Sequence, residues 1–131
     1  MGDGVGDREN KMNPMKDNIT YEKAYAFAIR IVRMYQTLTD RSREFVLSKQ
    51  CLRSGTAIGA LVAESRHAQS KADFVSKLTI ALKEADETAY WLNLLKDTGY
   101  ISEKEFISIH TDALELVKIL TASTKSLKSK P

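Results

Sequence analysis

Glu64 and His67 are separated by two residues, a spacing at which a helix presents a carboxylate and an imidazole about one turn apart. In helical bundles that hold two iron ions, such a Glu-x-x-His pair occurs twice, with two further glutamates facing the same core. Here the only other histidine is His110, and the residue three positions before it is Ile107, so the second half of such a site is missing. Glu84, Asp86 and Glu87, beside Lys83, form an acidic cluster. Paired carboxylates do acid–base work when they are buried and perturb one another. These lie off the apolar seam of their helix, and read as a solvated face or as an acidic patch meeting a neighbour's basic helix. Cys51 is the single cysteine, so no internal disulfide forms, and its apolar surroundings mark it as a small core residue. No nucleophile elbow, phosphate-binding glycine loop or zinc-ligand set is present in the sequence. The expectation is a protein without enzyme activity, metal or cofactor.

The remaining candidate chemistry belongs to cations. Arg41, Arg43, Lys49, Arg53 and Arg66, with Lys125, Lys128 and Lys130 near the C-terminus, can contact phosphates with little sequence readout. Trp91, Tyr90 and Tyr100 could stack on bases, but beside Leu92, Leu94 and Leu95 they read first as core or interface residues. The net charge of +3 conceals a segregation. Residues 1–40 balance, 41–71 carry six basic against two acidic residues, 72–115 carry four against nine, and 116–131 carry four against none. Such a pattern suits either a basic face for a polyanion or copies that attract each other through opposite patches.

The elements that must position these residues are helical. The 131 residues suffice for one domain, and the 43 % hydrophobic content is that of a soluble globular chain with few interruptions. No run approaches a membrane span and the N-terminus lacks the order of a secretory signal, so a soluble cytoplasmic protein without a membrane partner is expected. Residues 1–17 are polar, lack periodicity and are expected to be disordered. The bundle is expected over 18–124, with helices at about 19–38, 43–67, 71–98 and 103–124, and a basic tail at 125–131. In the first helix the predicted core stripe is Tyr21, Tyr25, Ala28, Ile29, Val32, Tyr35 and Leu38. Asp40 and Ser42 are candidate caps of the second helix. Ser70 to Asp73 and Ser102 to Glu105 have capping-box spacing, and Gly99 suits a left-handed helix end. Phe74, Leu78, Ala81, Ala85, Thr88, Leu92 and Leu95 form an unbroken 4-3-4-3-4-3 seam. Phe106, Ile109, Ala113, Leu116, Val117, Leu120 and Leu127 continue the fourth helix. Short connections between four amphipathic helices predict an all-α, up-down-up-down antiparallel four-helix bundle.

The second helix raises a particular question. Gly55 and Gly59 interrupt it at a cost of about 1 kcal/mol each relative to alanine. They share a side with Cys51, Ile58 and Val62, where a neighbouring helix can approach closely. On the opposite side, Arg53, Ala57, Ala60 and Glu64 lie among Lys49, Thr56 and His67. That stripe reads as either solvated or covered by a second copy, with Arg53 and Glu64 then pairing with charges of the neighbouring subunit.

The stretch LRSGTAIGALVAESRHAQSKADFVSKLTIALKEADETAYWLNLLKDTGYIS resembles the bacterial four-helix-bundle family of 23S rRNA intervening-sequence proteins. The resemblance spans roughly residues 19–120 and is most specific in Arg53-Ser54, Ala63-Glu64, Ser70 to Phe74, Glu84 to Thr88 and Gly99-Tyr100-Ile101. Leu61 departs from it, standing where the family pattern commonly has asparagine. The resemblance implies a homo-oligomer, with ring-shaped pentamers among relatives, and no established enzyme activity. It also implies RNA or DNA as a partner, and, from a branch serving diversity-generating retroelements, a reverse transcriptase or other protein. The alternative is a protein-binding scaffold without nucleic-acid affinity.

Overall fold

A computed structural model of the chain describes residues 14–128, with side-chain surroundings over 19–127. Four helices follow one another: α1 (Pro14–Asp40), α2 (Leu47–Ser65), α3 (Lys71–Asp97) and α4 (Glu103–Lys128). There is no strand among the described residues. The short connections reverse the chain three times, and each helix packs on its sequence neighbours while α4 returns beside α1. This is the expected antiparallel four-helix bundle. No described helix is long and apolar enough to cross a membrane.

Local chemistry fixes the helix ends. α3 starts at Ser70, whose hydroxyl accepts the Asp73 N–H at 3.0 Å, while the Asp73 carboxylate accepts from the Gln69 N–H. α4 starts with a reciprocal box: Ser102 Oγ accepts from Glu105 N–H at 3.1 Å, and Glu105 Oε1 accepts from Ser102 N–H at 2.9 Å. Between them, Gly99 adopts φ +85°. Its N–H reaches the Lys96 carbonyl and the Tyr100 N–H reaches that of Leu95, closing α3 in the paired pattern typical of a left-handed glycine end.

The expected bounds shift at four places. α1 begins at Pro14 instead of 19, so residues 14–17 of the segment expected to be disordered are helical; residues 1–13 lie outside the described residues. α2 begins at Leu47 rather than 43, because Arg43 adopts φ +55° and breaks the helical path. Neither Asp40 nor Ser42 caps it. Instead the Glu44 carboxylate accepts N–H bonds from Val46, Leu47 and Ser48 at 2.7–3.1 Å. Its last turn tightens, with Arg66 and His67 N–H groups bonding carbonyls three residues back, so α2 ends at Ser65 rather than His67. α4 continues to Lys128, through part of the expected basic tail, and Leu127 there packs against the core; residues 129–131 lie outside the described residues.

The core contains the full predicted seam of α3 and the predicted faces of α2 and α4. The face of α1 is different. Its buried residues are Thr20, Ala24, Phe27, Ile31 and Leu38, with Tyr21 and Met34 packed against the core. Of the predicted stripe, then, Leu38 is buried and Tyr21 packs against the core. Tyr25, Ile29 and Val32, placed in the core by periodicity, are 56 %, 40 % and 37 % exposed. Two apolar stripes at helical spacing run along this helix, and the one carrying the larger β-branched and aromatic residues is the one turned outward.

Candidate nucleic-acid interface

The basic second helix and the acidic third helix are adjacent and antiparallel, which determines what their charges meet. Arg53 Nη2 donates to Glu87 Oε2 at 2.9 Å and to Gln50 Oε1 at 3.2 Å. The same Glu87 oxygen accepts the Trp91 indole N–H at 3.1 Å. One turn of spacing on α3 thus lets a single carboxylate bind a guanidinium and an indole together. Below it, Lys77 Nζ of α3 lies 3.3 Å from Glu64 Oε1. Arg53 and Glu64, the residues expected to pair with a neighbouring subunit if their stripe is covered by a second copy, each meet a counter-charge on α3 of their own chain. Across the other seam, Lys23 meets Glu115, and Arg30 meets Asp112 at 2.6 Å as well as the Ser108 hydroxyl and carbonyl.

Gly55 and Gly59 lie against α1. A Cβ on Gly55 would stand 2.9 Å from Ile31 Cγ1, whereas one on Gly59 would meet only Ala24 at 3.6 Å. The glycine side is an intramolecular helix contact. On the opposite side Thr56 and Ala57 are half-buried, and Ala60 and His67 are exposed. Leu61 is half-buried and makes apolar contact with the core.

The remaining candidate cations do not form one patch. Arg41 and Arg43 occupy the α1–α2 connection and Lys49 the first turn of α2, all exposed at one end of the bundle. Arg66 ends α2 about 25 Å away along its axis, its guanidinium 4.3 Å from the centre of the Tyr21 ring. Lys125 lies in the last turn of α4 at that same far end, and Lys128 is the final helical residue. The Lys128 side chain and Lys130 lie outside the described surroundings. Two cations missed by the sequence reading join the first group: Arg33, within two turns of the end of α1, and Lys104, in the first turn of α4. Their positions 71 residues apart gave no sequence signal that they share an end.

Between them runs a groove of about 460 Å³ at the α1–α4 seam. Arg33 and Lys104 flank it with Arg30, Ser42 and Ser108, Met34, Leu38, Ile101 and Ile109 contribute apolar surface, and Tyr100 lies along it. Glu105 also lines it, but its carboxylate is engaged in the α4 cap.

The other reactive side chains are accounted for by packing. Cys51 is fully buried, and desolvation pushes its thiol up to about 12, far from the reactive thiolate range. His110 stacks on Phe106 with ring centres 4.4 Å apart; burial and the nearby Lys96 charge lower its pKa. Among the described residues, no three His, Cys, Asp or Glu side chains are placed to hold a metal ion. Tyr90 is 59 % exposed and meets Trp91 edge to face, while Trp91 itself is half-buried.

The model of the 23S rRNA-intervening sequence protein family matches residues 16–122, which takes in all of α2 and α3 and most of α1 and α4. The chain belongs to that family. It is similar to a crystal structure of a protein of unknown function from the S23 ribosomal protein family of Bacteroides thetaiotaomicron. The two are 52 % identical over 84 % of this chain and 98 % of that one, with a TM-score of 0.83. None of the curated proteins matches this chain. Within the intervening-sequence family pattern, the Arg53-Ser54 and Glu84 to Thr88 motifs now have a physical meaning. Arg53 pairs with Glu87, and the Ser54 and Thr88 hydroxyls are hydrogen-bonded at 2.8 Å between α2 and α3.

Proposed function

We propose that this protein is a non-catalytic, self-assembling helical module that binds nucleic acid through the basic end of the bundle. The observation that carries the reading is the gathering of Arg33, Arg41, Arg43, Lys49 and Lys104 where α1 ends and α2 and α4 begin. None of the ion pairs among the described residues involves any of these five. Along the α2–α3 and α1–α4 seams Arg53, Lys77, Lys23 and Arg30 are paired within the chain, whereas these five cations, which share their end with the exposed Asp40, Asp97, Glu103 and Glu105, are left to a ligand. Phosphates are the ligand that such a set attracts without sequence preference. Assembly into the pentamer expected from the family resemblance would repeat this end in each copy and strengthen weak contacts by avidity.

The test is a fluorescence-anisotropy titration of the purified protein with a structured RNA and a duplex DNA at several salt concentrations. Binding is expected to fall steeply with salt, and the slope counts the phosphates engaged. Absence of binding at low salt overturns this reading. A second reading, a protein-binding scaffold, is favoured by the outward stripe of Tyr25, Ile29 and Val32 on α1. A partner in that case, such as a reverse transcriptase, would dock through apolar contact, and its binding would be nearly insensitive to salt.

A further inference from the structure

The groove at the α1–α4 seam differs from the rest of the basic end in having apolar surface beneath its cations. Leu38, Ile101 and Ile109 are buried side chains that close its depth, and Tyr100, 40 % exposed, presents a ring along it. Arg30, on the wall, is held by Asp112 and Ser108, so its guanidinium is fixed. Arg33 and Lys104 stand on opposite helices at the rim, and no carboxylate of the described residues pairs with them. The groove therefore offers two cations outside any ion pair, the hydroxyls of Ser42 and of Ser108, the latter already accepting from Arg30, an aromatic ring and an apolar floor within about 460 Å³. The Glu105 carboxylate in its lining is turned to the Ser102 N–H through Oε1.

We propose that this groove takes an unpaired nucleotide of a single-stranded nucleic acid, with its phosphate between Arg33 and Lys104 and its base on Tyr100 and the apolar floor. The inference rests on the nucleic-acid reading above and narrows it to strand form and position. The volume is in the range of small-ligand sites and suits a segment of nucleotide size, not the width of a duplex. A base can present its face to an apolar floor only when it is unstacked, which a paired helix does not allow. The cations supply charge complementarity for the phosphate that a neutral apolar ligand would leave unused.

The experiment compares a labelled single-stranded RNA of about a dozen nucleotides with the duplex of the same sequence, by anisotropy across a salt series. The proteins are wild type, Arg33→Glu/Lys104→Glu, Tyr100→Ala and, at the opposite end, Lys125→Glu, each checked for unchanged helicity. Wild type is expected to prefer the single strand by about tenfold. The double reversal is expected to lose at least about tenfold in affinity and to reduce the salt slope by about 0.7, the value for the one single-strand phosphate held between the two cations. Tyr100→Ala is expected to weaken single-strand binding several-fold without changing that slope, and Lys125→Glu to leave the preference intact. Equal affinity for both strand forms, or binding unaffected by the double reversal, overturns the groove assignment while leaving nucleic-acid binding standing. Failure of wild type to bind either form overturns both readings. An acidic peptide that binds in an Arg33- and Lys104-dependent manner where RNA does not would reassign the groove to a protein partner.

Discussion

Gly55 and Gly59 lie one turn apart on α2 yet face α1 across different gaps. Alanine at either position gains about 1 kcal/mol of helix propensity. At Gly55 the added methyl would press on Ile31, a fully buried side chain whose Cγ1, Cγ2 and Cβ all lie within 3.3 Å. Overpacking of that kind costs about 1–3 kcal/mol. Gly55→Ala is therefore expected to destabilise the bundle by about 1 kcal/mol, and Gly59→Ala to stabilise it by about 0.5–1 kcal/mol. Urea denaturation followed by circular dichroism tests the pair, and the same sign of change at both positions would contradict it. The Arg53–Glu87 contact gives a second prediction at this scale. Because both side chains are partly exposed, Arg53→Glu is expected to cost only about 1 kcal/mol, through repulsion from Glu87 and loss of the pair. Reversing Glu87 to arginine in the same chain should recover part of that loss in a double-mutant cycle.

The start of α2 is an element-scale device that no local cap motif announced. Three N–H groups that the helix cannot satisfy itself converge on the Glu44 carboxylate, and the Ser48 hydroxyl donates back to the Glu44 carbonyl at 2.7 Å. Burial opposes ionisation of Glu44, but the hydrogen bonds from Leu47, Ser48 and Val46 outweigh it and hold its pKa below the ordinary value of 4.5. A carboxylate with a depressed folded pKa contributes stability that is fully present above its unfolded pKa and is lost as pH falls through the folded one. Glu44→Gln is thus expected to lower stability by about 1 kcal/mol at pH 7, with the gap to wild type closing as pH falls well below 4.5. Thermal melts of both proteins at neutral and acid pH measure this; a gap that widens in acid would refute the capping role. The α1–α4 seam gives a weaker device. Arg30 bridges to Asp112 and Ser108 at a partly exposed rim, so Arg30→Ala should cost no more than about 1 kcal/mol. Its visible effect should be faster amide exchange in α1 than in α2 or α3.

At the scale of the whole molecule, exposed apolar residues such as Val46, Ile107 and Leu114 lie on other elements, while one flank of α1 turns a row of apolar side chains outward. Tyr25, Ile29 and Val32 sit there without cover, and Ala28 is half-buried beside them. Such a stripe has the apolar character of surfaces through which chains contact one another. If that chain is a second copy, Ile29→Glu should shift the mass in sedimentation equilibrium toward the monomer while leaving the helicity of each bundle unchanged. An unaltered assembly, or a wild-type monomer, would assign the stripe to a different protein. The net charge acts at this scale too, since the cations of one end remain available whereas those of α2's middle are engaged with α3.

Much of the architecture is written locally. The α3 seam is a strict heptad-like series, and the Ser102–Glu105 box and Gly99 end fix where α3 stops and α4 starts; such features need only near neighbours, and periodicity reads them directly. The glycine face of α2 was legible for the same reason, because losing two side chains makes sense only where another backbone comes close. The core face of α1 was legible only at its ends, Tyr21 and Leu38, since two apolar stripes satisfy the same period and only packing against Gly55 and Gly59 selects Ala24 and Ile31. Nor was the fate of the segregated charges. Antiparallel α2 and α3 bring Arg53 to Glu87 and Glu64 to Lys77, whereas the chain reversals bring Arg33 and Lys104 to one groove across 71 residues of sequence. Sequence determines which faces and ends exist; which charges neutralise one another and which remain for a ligand depends on distances that only the assembled bundle sets.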